Sequence, residues 1–99
     1  MSVRYDFTAK LWRSPGAAGW HFVTLPVDMS AQIRAIAGGL LNSFGTLRIV
    51  ATIGATSWKT SLFADTKKNA FVLPVKADVR RKEGIGHDDE VAVSVELDL

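Results

Sequence analysis

Apolar and polar side chains alternate along most of this chain, and the places where the alternation stops divide it into elements. Val3, Tyr5, Phe7, Ala9 and Leu11 alternate with Arg4, Asp6, Thr8, Lys10 and Trp12. A period of two over that length predicts a long half-buried strand. Ser14-Pro15-Gly16-Ala17-Ala18-Gly19 breaks it with turn formers. Residues 20–25 predict a second strand, stopped at Pro26, which has no N–H to give to a ladder.

After Pro26 the period changes. Met29, Ile33, Ile36 and Leu40 recur at intervals of four, three and four residues, one apolar stripe of a helix. Asp28 is the expected N-cap and Gly38-Gly39 the expected stop, which leaves Leu40 just outside. Leu47, Ile49, Ala51 and Ile53 restore the strand period. Gly54-Ala55 turns the chain into residues 58–63, predicting a hairpin or a bulge. Asp65-Thr66-Lys67-Lys68-Asn69 is a further turn, and Phe71, Leu73 and Val75 mark a strand ending near Pro74. A short helical turn over residues 77–83 is expected to end at Gly84, and Val91, Val93, Val95 and Leu97 form the closing strand.

Two stretches repeat one plan. Phe22-Val23-Thr24-Leu25-Pro26-Val27 and Phe71-Val72-Leu73-Pro74-Val75 each read as a strand ending in Leu-Pro-Val. Each leads into a helical segment with an apolar–Arg pair, Ile33-Arg34 or Val79-Arg80, and each segment ends in glycine. The same order twice in a short chain predicts two related halves, roughly residues 1–43 and 44–99. A small antiparallel sheet of six or seven strands must hide its edges, and closure removes them. The expected fold is therefore mainly β: a small closed antiparallel barrel, pseudo-two-fold by internal duplication, with one short helix and a second helical turn.

Leu73-Pro74-Val75, Val79-Arg80, Gly84-Ile85 and Asp89-Glu90-Val91 resemble the half-barrel of AbrB-like transcription factors, where two chains interlock to close one double-split barrel. The whole chain more closely resembles the bacterial family called domain of unknown function 1905. Gly19-Trp20-His21-Phe22, Leu25-Pro26, Ile33-Arg34, Thr60-Ser61-Leu62 and Leu73-Pro74-Val75-Lys76 carry that resemblance. It implies an AbrB-like barrel with both halves in one polypeptide, in a family often fused to a domain associated with bacteriocin protection. The chain departs from the pattern at Asp88, where glycine is usual. Aspartate enters a left-handed turn at modest cost.

Composition adds limits. The 99 residues suffice for one domain, 1–99. A 47% apolar and 22% charged content is that of an ordinary globular chain. No apolar run approaches the roughly 20 residues that cross a bilayer, and the opening Met-Ser-Val-Arg-Tyr-Asp has no leader-like stretch. A cytoplasmic location is the default expectation. The absence of cysteine removes disulfides, thiolate metal sites and a cysteine nucleophile. A net charge of +2 argues against a strong polyanion binder, since phosphate contacts demand a concentrated basic surface.

Candidate chemistry is sparse. Arg80-Arg81-Lys82 is the one basic run. It is read as complementing a helix C-terminus, with phosphate contact the weaker reading. His87-Asp88-Asp89-Glu90 is read as a solvated turn, because neighbouring residues in an extended segment point apart and cannot surround an ion. No nucleophile–base pattern is present and Ser57 and Ser61 have no histidine assigned to them, so neither catalysis nor a cofactor is expected. Trp12, Trp20 and Trp58 are a high count for this length. Packing is the ordinary role of tryptophan. With Arg34, Ser61, Lys76 and Arg80 they form the candidate ligand set: an apolar pocket with a cationic end. The expected function is a non-catalytic binding or accessory module for a small anionic molecule or a protein, working as a monomer or weak homodimer. The alternative is an AbrB-like nucleic-acid binder.

Overall fold

The alternating segments close into a barrel in the computed structural model, which describes residues 2–16, 18–41 and 45–98. The strands are β1 (Ser2–Arg13), β2 (His21–Thr24), β3 (Thr46–Ile53), β4 (Thr56–Asp65), β5 (Ala70–Pro74) and β6 (Glu90–Asp98). Helix α1 (Val27–Ala37) follows β2 and runs into a 3-10 turn, Gly38–Leu40, while α2 (Ala77–Glu83) follows β5. The barrel order is β1-β2-β5-β4-β3-β6, antiparallel at every pair. Closure leaves the alternation one meaning. Phe7, Leu11, Val23, Leu47, Ile49, Ala51, Ile53, Leu62, Leu73, Val93, Val95 and Leu97 point into the core, and in β1, β3 and β6 the polar residues that alternate with them lie on the outer face.

Turn chemistry follows the residues. β3 and β4 join through two loop residues, with Ile53 opposite Thr56 and Gly54 at φ 59. A positive φ at the first loop position matches the twist of the flanking strands. Asp65 Oδ1 accepts the amides of Lys67 (3.1 Å) and Lys68 (3.3 Å), and Asn69 closes that turn at φ 52. Asp88 adopts φ 73, the left-handed turn expected where glycine is usual. Its amide donates to the Leu11 carbonyl (2.7 Å) and the Leu11 amide to the Asp89 carbonyl (2.8 Å), extending the β1–β6 seam.

The first helix corrects two expectations. Its buried residues are Ser30, Ile33 and Ala37, whereas Ile36 and Leu40 are 51% and 60% exposed. The stripe rotates because one buried position is a serine. Ser30 Oγ accepts the Phe71 amide of β5 (3.0 Å), a bond that an apolar pattern cannot register. Asp28 is not the N-cap; Pro26 is, and Asp28 lies in the first turn with Oδ1 accepting the Met29 amide (2.9 Å). α2 ends as expected. Gly84 is left-handed (φ 63), its amide donating to the Arg81 carbonyl and that of Ile85 to the Arg80 carbonyl, the two bonds of a Schellman cap.

Thr24 faces Val72 and Ala51 faces Val95. Exchanging β1 with β4, β2 with β5 and β3 with β6 leaves the strand order unchanged. The expected boundary at residues 43–44 lies outside the described residues, as does Ala17 of the first turn.

Candidate functional site

A cavity opens where β4 and β5 part. Their pairing stops at Phe63 opposite Val72. The next β5 residue whose amide would face β4 is Pro74, which has none to give. β5 instead stays with β2, the Val75 amide donating to the His21 carbonyl (2.9 Å). The parting leaves a cleft of about 510 Å³ between residues 18–21, residues 58–61 with Phe63, and residues 74–77 with Arg80.

Five candidates from the sequence meet there: Trp20, Trp58, Ser61, Lys76 and Arg80 all line the cleft. Trp20 is 56% exposed and lies near-parallel to Phe22, ring centroids 6.1 Å apart. Trp58 is half-buried against the core. Arg80 is half-buried and held by a bond from Nε to the Val75 carbonyl (3.2 Å).

Two candidates lie elsewhere. Trp12 sits on the outer face, as its place in the alternation predicts. Its Nε1 donates to Thr24 Oγ1 (2.9 Å), and Lys68 Nζ lies 4.3 Å from its ring centroid, a cation over an aromatic face. Arg34 projects from α1 over Phe71, 5.3 Å from that ring's centroid. Neither lines the cleft.

The cleft also recruits residues that sequence reasoning passed over. Lys59 and Phe63 belong to β4 and were within reach of the alternation, which puts them on the same outward face as Ser61. His21 was not accessible that way, because only the order β2-β5-β4 brings it to the cleft that Ser61 lines. Its Nδ1 is 2.8 Å from the Gly19 carbonyl. A carbonyl can only accept, so Nδ1 carries a proton and Nε2 is the acceptor in the neutral ring.

Charge in the cleft has one sign: Lys59, Lys76 and Arg80 line it, with no carboxylate among the described lining residues. Carboxylates nearby are committed to other partners. Asp78 pairs with Lys82 (3.3 Å) and Arg81 (3.1 Å), which hold its carboxyl below the usual value of 3.8. Glu83 accepts from Thr56 Oγ1 (2.6 Å), tying the end of α2 to the β3–β4 hairpin. Across the barrel, Asp6 is likewise lowered, by hydrogen bonds from Ser94 and then Arg4. His87 Nδ1 accepts the Arg13 amide (3.0 Å) and Asp89 Oδ2 the Gly86 amide (2.8 Å), while His87 Nε2 lies 3.6 Å from Asp88 Oδ1. Among the described residues no group of three His, Asp or Glu is gathered to hold a metal ion.

Fold and cleft together define a small β-barrel domain with helices inserted after two central strands. The chain belongs to the family described as Domain of unknown function (DUF1905), whose model matches residues 7–95. No curated protein matches the chain closely enough to lend it an activity. No helix among the described residues is long and apolar enough to cross a membrane.

Proposed function

We propose that this barrel is a non-catalytic binding module whose cleft takes an anion carried on an apolar body, either a small molecule or part of a protein partner. The composition of the cleft carries the reading: three cations, Lys59, Lys76 and Arg80, beside three aromatic rings, Trp20, Trp58 and Phe63. Large apolar groups left exposed in one concavity mark binding surfaces. A guanidinium fixed at Nε still offers its terminal nitrogens to a carboxylate or phosphate. A nucleic-acid role has less support, because Arg81 and Lys82 both turn to Asp78.

The same reading treats the barrel as an AbrB-like duplication within one chain. Its support is the exchange of β1–β3 with β4–β6, under which strand order and the Thr24–Val72 and Ala51–Val95 pairs are kept. On this reading the halves divide at Gly54-Ala55, after β3, and not near residues 43–44 as the repeated motif alone suggested. A monomer then closes its own barrel, and sedimentation that finds only an obligate dimer contradicts it.

The ligand reading is tested by tryptophan fluorescence at about 20 mM salt, where exposed charges are least screened. Benzoate and inorganic phosphate are titrated, with benzylamine as the cationic control. The anions should quench or shift the emission, and Arg80→Met should weaken the response. A flat response to every anion eliminates the reading. Binding of random duplex DNA at about 50 mM salt would favour the alternative, since non-specific phosphate affinity is strongest at low salt.

A further inference from the structure

Four successive residues of β4, 58–61, line the cleft. Side chains of successive strand residues point to opposite faces, so a wall built from all four is the edge of the strand rather than a face. The register identifies the groups on that edge. In a hairpin with two loop residues, the pair flanking the loop exchanges both backbone bonds, and every second pair after it does the same. Thr56, Trp58, Thr60 and Leu62 therefore spend their amides and carbonyls on β3, and those of Ser57, Lys59 and Ser61 point to the other side. Phe63 also points that way and meets β5. Among the described residues no strand pairs with that side of β4 before Phe63.

We infer that the cleft accepts an extended acidic peptide, which adds to β4 as a short antiparallel strand in the place that β5 vacates at Pro74. This rests on the reading of the cleft as an anion site and names the ligand. Unpaired strand edges are templates for strand addition, in which backbone bonds supply affinity and alternate side chains supply specificity. Here the backbone groups of Lys59 and Ser61 offer two donors and two acceptors. Lys59, Lys76 and Arg80 select carboxylates, and Trp58 and Val75 receive the apolar side chains that alternate with them.

The test uses a short labelled peptide alternating glutamate and valine, followed by fluorescence anisotropy with the intact protein. Its partner probe has the same sequence, N-methylated on the amides of one edge. Charge and side chains are kept while the donors are lost. The parent peptide should bind, the methylated one roughly tenfold more weakly for two lost bonds, and Lys59→Glu should weaken the parent further. Equal binding of both peptides overturns strand addition. Binding of benzoate without the parent peptide overturns the peptide inference and leaves the anion site standing. No binding by either removes both.

Discussion

Two strand–proline–helix units lie side by side in this barrel, and they do different work. Both break the sheet at a proline, Pro26 or Pro74, and both place an apolar residue of the helix in the core, Ile33 or Val79. α1 is eleven residues long, buries three of them, and fastens to β5 through the Ser30–Phe71 bond. α2 is seven residues long, buries one, and is held at its rim by Glu83 on Thr56. The longer helix covers core. The shorter one leaves the edge of β4 open and contributes Arg80 to that opening. One motif therefore packs against β5 in its first copy and borders the candidate cleft beside β4 in its second.

That contrast can be broken at several points. Ile33→Ala in α1 should cost about 2–5 kcal/mol, because the residue is fully buried and the cavity cannot refill. Ile36→Ala, three positions on and half exposed, should stay within about 0.5 kcal/mol. Urea denaturation of the two variants checks the corrected face of the helix, and equal losses would restore the original stripe.

Ser30→Ala comes next, at about 1–3 kcal/mol, since the buried Phe71 amide loses its acceptor. Hydrogen exchange should show that amide losing protection beyond the global change.

The helix ends separate at the next level. Gly84→Ala should destabilise by about 1–2 kcal/mol, because φ 63 is costly for a side chain even with nothing within 4 Å of the new methyl. Gly38→Ala should be neutral or stabilising by up to about 1 kcal/mol, its φ of −57 being helical and its nearest neighbour, Arg34 Cγ, at an ordinary 3.7 Å. Thermal melts of the pair should shift in opposite directions, or only Gly84→Ala should shift.

Acid gives the smallest effect. The folded pKa of Asp78 is lowered by Lys82 and Arg81, so the unfolded chain takes up its proton first as pH falls. The stabilisation is complete above the ordinary carboxylate value and fades as pH drops through the lower folded one. The stability gap between wild type and Asp78→Asn should therefore be full above about pH 5 and close as pH falls below the ordinary carboxylate value. A gap that persists there would assign the effect to something other than the ion pairs.

Much of the fold was legible from local pattern. Strand alternation in β1, β3 and β6 carried over unchanged, as did Gly84 as a left-handed cap and the turns at Gly54 and Asp65. These depend on neighbouring residues alone. The burial face of α1 was misread because a hydrogen-bonded serine took a core position that hydropathy gives to an apolar side chain. Of the candidate ligand residues, Trp20, Trp58, Ser61, Lys76 and Arg80 reach one cleft, while Trp12 and Arg34 pair with aromatic or cationic neighbours on other surfaces. Composition suggested an aromatic and cationic set, but it had no means of saying which members share a cavity.

By itself, then, the chain determined its strand periods, its turn geometries and the two prolines that interrupt the sheet, because each acts over a few residues. Which strands become neighbours was decided only in three dimensions. Placing β5 between β2 and β4 brings His21 to the cleft of Ser61 and leaves one edge of β4 unpaired beyond Pro74. That juxtaposition arises from closing the barrel, a long-range pairing that no local window contains.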